Sequence, residues 1–130
     1  MISLERFEEV MADLVDELPE ELFYELNRGV IISTKAKRHP QGVPGDLYVL
    51  GEYESGGMLG QAVILYYRSF GFVFGDCSEE EIINEMRITL RHELRHHWEY
   101  LSGERDLEIE DERWLEEYLA ELEEERGNQA

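Results

Sequence analysis

The chain has 130 residues, 42% of them hydrophobic, enough to bury one core without disulfides or a partner, so a single domain spanning residues 1–130 is expected. Thirty-one acidic residues against twelve basic ones leave a net charge of −19, which argues against nucleic acid and anionic membrane as partners. One cysteine, Cys77, excludes an internal disulfide and a thiolate metal cluster.

In chain order, Leu4, Phe7, Val10, Met11, Leu14 and Val15 recur at helical spacing, and Ser3 offers an N-cap, so a helix is predicted over 3–16. Leu18-Pro19 interrupts it. A second short helix is expected from Glu20 to Asn27, stopped by Asn27-Arg28-Gly29. The β-branched run Val30 to Thr34 predicts a strand. Lys35 to Asp46 is read as a loop whose Lys35, Lys37, Arg38 and His39 form the one basic cluster; it suits a solvated surface, or a contact for a substrate carboxylate or the acidic tail.

Leu47 to Tyr53 and Gln61 to Tyr67 read as further strands, and the glycines between them as a flexible connection. Arg68 to Asp76, with Phe70, Phe72, Val73 and Phe74 among glycines, is expected to be an apolar loop folded over the core. Cys77 is expected to be a small packed thiol. The N-terminus lacks a leader-like apolar run and no stretch approaches a membrane span, which points to a cytoplasmic protein.

Ser78-Glu79-Glu80-Glu81 is a capping box, and about twenty residues without glycine or proline follow, so a long helix is predicted over 78–102. At 100° per residue Ile82, Ile83, Met86, Leu90, Leu94 and Leu101 share one sector, and Thr89, His92 and His96 another. His92-Glu93-Leu94-Arg95-His96 is a His-Glu-x-x-His pattern. Histidines four apart on a helix can reach one zinc ion, with the glutamate between them placed to act as base on a metal-bound water. Catalytic zinc takes three protein ligands and one water, so a third ligand is required.

His97 points about 100° away from His96, toward packing or support of the site, with a substrate contact as the alternative. Trp98 is expected in the core, and Tyr100 and Tyr118 are candidate oxyanion donors. Glu99 shares the histidine face but stands about 10 Å along the axis from His92. Glu112 to Glu125, with Trp114, Leu115, Tyr118, Leu119 and Leu122 on one side, predicts an acidic closing helix. Helices around a small mixed sheet of three or four strands make the expected fold class α+β.

The downstream segment Trp98 to Asp106 makes the chain resemble the minimal zincin-like metallopeptidases, small bacterial single-domain proteins with His-Glu-x-x-His-x-x-Gly-x-x-Asp. Leu18-Pro19, Leu50-Gly51-Glu52-Tyr53 and Val63-Ile64-Leu65-Tyr66 extend the resemblance over most of residues 4–111. It implies a small zincin core, a Zn2+ cofactor held by His92, His96 and Asp106, and Glu93 as general base in the hydrolysis of peptide or unfolded protein. Gly103 and Asp106 stand four residues later than the pattern, a displacement that a chain reversal at Gly103 could absorb. Glu116, Glu108, Asp111 and Glu112 are the competing third ligands, and His39 lies distant in sequence. All four methionines precede the motif's end, which excludes a Met-turn metzincin. The other function class is a non-catalytic zinc-binding or peptide-binding module on the same residues.

Overall fold

The computed structural model describes residues 1–39 and 48–104. Its elements are helix α1 (Leu4–Asp16), a short 3₁₀ turn (Glu20–Phe23), strands β1 (Gly29–Ser33), β2 (Lys37–Arg38), β3 (Tyr48–Val49), β4 (Gly51–Gly57) and β5 (Gly60–Tyr66), and helices α2 (Tyr67–Phe74) and α3 (Glu79–Glu104). The fold is α+β, as the sequence implies. The acidic segment expected to close the domain, with Glu108, Asp111, Glu112, Glu116 and Tyr118, lies outside the described residues, as does Asp106.

β1 pairs in parallel with β5, and β5 pairs antiparallel with β4, giving a three-stranded sheet ordered β1-β5-β4. β2 and β3 form a separate two-residue ladder. Val63 and Leu65 of β5 are fully buried, and their partners Val30 and Ile32 on β1 pack with them against one cluster. That cluster is completed by Phe7, Val10, Met11 and Leu14 of α1 and by Ile82, Met86, Leu90, Leu94 and Leu101 of α3. The stripes read from the 3.6-residue period are therefore the buried faces of both helices. Each helix starts where its cap predicts: the Arg6 amide donates to Ser3 Oγ at 3.1 Å and the Glu81 amide to Ser78 Oγ at 3.2 Å.

Five expectations are corrected. Arg68 to Asp76 is not a loop: Tyr67–Phe74 is a helix, and Phe70 is buried against Phe7 with ring centroids 5.3 Å apart. Phe70 and Phe74 lie one turn apart, a spacing masked by Gly71 and Gly75. The glycines between the central strands extend the pairing, because Gly56 and Gly60 have φ of 78° and 97° and close a tight hairpin with Gly57 opposite Gly60. Asn27 fixes that hairpin, its Oδ1 accepting from the Gln61 amide at 2.8 Å and its Nδ2 donating to the Leu59 carbonyl at 3.2 Å.

The stretch read as one strand over 47–53 is split between two sheets at Leu50, and Lys37–Arg38 inside the basic segment pair with β3. The helix expected over 20–27 is one 3₁₀ turn, after which Glu25 at φ 60° redirects the chain. Among the described residues no helix is long and apolar enough to cross a membrane.

Candidate metal centre

α3 packs chiefly against β4, and Gly51 makes the approach possible. A Cβ at Gly51 would lie 2.7 Å from Thr89 Cγ2 and 3.1 Å from the Ile64 carbonyl oxygen. Thr89 also donates its hydroxyl to the Glu85 carbonyl, so its methyl is held toward the strand. This contact fixes the roll of α3 one turn before the histidines.

His92 and His96 stand one turn apart on the rim of α3, their rings perpendicular with centroids 4.7 Å apart. Their Nε2 atoms lie 3.2 Å from each other. Two nitrogens bound at 2.0–2.1 Å to a tetrahedral zinc stand roughly 3.3 Å apart, so this spacing fits one ion. Glu93 Oε1 is 4.0 Å from His92 Nε2, and one ligand atom from each of His92, Glu93 and His96 falls within 4.8 Å of the others.

Tautomers follow from the hydrogen bonds. His96 Nδ1 is 3.1 Å from Glu99 Oε2, and a carboxylate can only accept, so Nδ1 carries the proton and Nε2 keeps its lone pair facing His92. Glu99, too far along the helix to share an ion with His92, thus orients the second histidine instead. The i, i+3 spacing of His96 and Glu99 was the sequence signal for this contact.

Exposure divides the three residues by role. The side chain of His92 is 63% exposed and that of His96 44%, whereas Glu93 retains only 9%. Burial drives the Glu93 carboxyl above the ordinary carboxylate range; the His96 imidazole opposes that shift and the charge of Glu52 adds to it. A carboxylate with raised proton affinity beneath two exposed imidazoles suits a base better than a solvated surface acid.

Glu52 is a participant that sequence reasoning missed. It sits on β4, accepts from Lys37 Nζ at 2.6 Å and from the Tyr66 hydroxyl, and is thereby held in place across three strands. Burial acts to raise its carboxyl pKa, but Lys37 and Tyr66 outweigh burial and the net shift is downward. Burial, then Glu52, hold the Tyr66 phenol protonated well above its usual range. Lys37 thus binds within the protein, and only the strand pairing reveals it.

His97 is fully buried and belongs to the packing. Its Nε2 lies 2.6 Å from the Tyr24 carbonyl, which can only accept, so Nε2 carries the proton and Nδ1 accepts from the Tyr53 hydroxyl at 2.7 Å. Burial lowers the pKa of the imidazole and pushes the Tyr53 phenol up to about 12, so both stay neutral. Tyr100 packs against Tyr53, and Trp98 donates from Nε1 to the Leu22 carbonyl at 3.0 Å. His39 is not part of the His92–Glu93–His96 group. Of the sequence candidates, then, His92, Glu93 and His96 converge, while Asp106 and its competitors Glu108, Asp111, Glu112 and Glu116 fall outside the described residues.

No protein-family model matches the chain, and no curated protein does. Among solved structures it is similar to a conserved hypothetical protein from Thermus thermophilus, with 36% identity over 79% of this chain and 100% of that one and a TM-score of 0.70.

Proposed function

The chain belongs to the same family as the conserved hypothetical protein of Thermus thermophilus, and from the His92, Glu93 and His96 geometry we propose that it is a zinc-dependent peptidase acting on peptide or unfolded protein. The observation that carries the proposal is the pairing of two Nε2 atoms at 3.2 Å with a buried carboxylate one residue from the first of them. A purely structural site has no use for a base there. His92 and His96 would hold the ion, Glu99 orients His96, and Asp106 is the proposed third ligand.

A bound zinc ion supplies a water of near-neutral pKa and polarises a carbonyl. Glu93 takes the proton from the attacking water and returns it to the leaving amine, a task its raised proton affinity favours. Glu52 keeps a second negative charge near Glu93, which strengthens that base. With its single cysteine the protein suits a reducing cytoplasm.

The test is zinc content and peptide hydrolysis measured together. The purified protein is expected to bind one zinc and to cleave an unfolded protein substrate in a chelator-sensitive manner. Glu93→Gln should keep the metal and lose turnover by about a hundredfold or more. A Glu93→Gln protein that hydrolyses as fast as the parent refutes the assigned base, and zinc retention without hydrolysis in the parent favours the binding module.

A further inference from the structure

The open side of β1, on the far flank of the sheet from β4, carries features the metal centre does not use. β1 pairs with β5 along one edge, and among the described residues no strand pairs with the other. Beside it, α1, the 3₁₀ turn and β1 enclose a groove of about 480 Å³ that includes no residue of β4 or β5. Its floor is apolar: Val15, Phe23, Val30 and Ile32 line it and are only partly buried, although each packs against the core. Its outer wall is the exposed stripe Glu8, Ala12 and Asp16, spaced four residues apart on α1.

We propose that this groove is a docking site for an extended peptide of apolar and basic residues, which adds to β1 as a fourth strand. An open strand edge supplies main-chain donors and acceptors, and the adjacent groove takes alternate side chains. The charges select the occupant. Glu8 and Asp16 are separated by eight helical residues, about 12 Å. On an extended chain, residues i and i+4 share a face and lie about 13 Å apart. Lysines or arginines at this spacing can each reach a carboxylate of the wall, and an apolar residue between them can cover the small Ala12.

The same charges disfavour other occupants. An acidic peptide is disfavoured by this wall, because Glu8 and Asp16 are both exposed on it. A second copy pairing through β1 would bring two sets of Glu8 and Asp16 together on chains that each carry −19. The proposal is independent of the metal reading, since the groove shares no residue with it.

The probe is a capped, fluorescently labelled peptide with a Lys-Thr-Val-Thr-Lys core, compared by anisotropy with a counterpart carrying glutamate for lysine. The full chain is expected to bind the lysine peptide and not the glutamate one. Ala12→Trp fills the groove from an exposed position without changing charge, and should weaken binding at least about tenfold. Glu8→Lys with Asp16→Lys should reverse the preference. Undiminished binding by Ala12→Trp would mean diffuse attraction to an acidic chain and overturns the site, as does no binding by the parent. Sedimentation that shows dimers lost in Ala12→Trp gives the groove to a second copy, also against the proposal. Binding should be equal in Glu93→Gln and in chelator-treated protein; loss there places the peptide at the metal centre instead and overturns the docking site while leaving the peptidase reading standing.

Discussion

His96 and His97 are chemically identical neighbours with opposite surroundings, and the 100° step of the helix is the cause. His96 is 44% exposed with its Nε2 lone pair facing His92, whereas His97 is fully buried between the Tyr24 carbonyl and the Tyr53 hydroxyl. Replacing His97 by phenylalanine keeps most of the volume but breaks two part-buried hydrogen bonds, to the Tyr24 carbonyl and the Tyr53 hydroxyl. Metal-free His97→Phe should therefore lose about 2–3 kcal/mol in urea denaturation. Metal-free His96→Phe should stay within about 0.5 kcal/mol of the parent, because a solvated ring contributes little to folding. Equal losses for the two variants would contradict the division of roles.

The contact of α3 with β4 is the element-scale feature on which the centre rests. Gly51→Ala forces a methyl to within 2.7 Å of Thr89 Cγ2 and should cost about 1–3 kcal/mol. Thr89→Ser removes that methyl and keeps the hydroxyl that bonds Glu85, so the double variant should recover part of the loss in a thermodynamic cycle. β2 is tied to β4 by Lys37 and Glu52, and there the pH dependence has a definite sign. The folded protein lowers the Glu52 carboxyl, so its contribution is present above the unfolded carboxylate range and is lost as pH falls through the lowered folded value. The parent should exceed Glu52→Gln by about 1 kcal/mol near neutrality, and the gap should close in acid, as followed by thermal melts across pH.

What the sequence made legible at this scale follows from what is local. α1 and α3 announce themselves through caps and a 3.6-residue period, and His92, Glu93 and His96 lie on one helix, so backbone geometry alone assembles them. α2 and the β4–β5 hairpin were hidden because their glycines, which serve close packing and positive φ, also signal loops. Glu52, Lys37 and Tyr66 meet only through strand pairing, which no local pattern encodes.

At the scale of the whole molecule, an ion held by the folded state but not the unfolded one stabilises it by mass action. At a free zinc concentration one hundred times Kd the gain is about 2.7 kcal/mol, readable as a rise in Tm that a chelator reverses. His92→Ala and His96→Ala should each lose most of the rise, whereas Glu93→Gln should keep it, since the glutamate is assigned to the water and not to the ion. The same measurement identifies the third ligand. Removing a ligand should weaken binding on the order of a hundredfold, which at the same zinc concentration shrinks the gain to about 0.4 kcal/mol. Asp106→Asn is expected to show that collapse, while Glu108→Gln, Asp111→Asn, Glu112→Gln and Glu116→Gln should retain the full rise. A full rise in Asp106→Asn together with a collapse in one of the other four moves the ligand to that residue and leaves His92, Glu93 and His96 where they are.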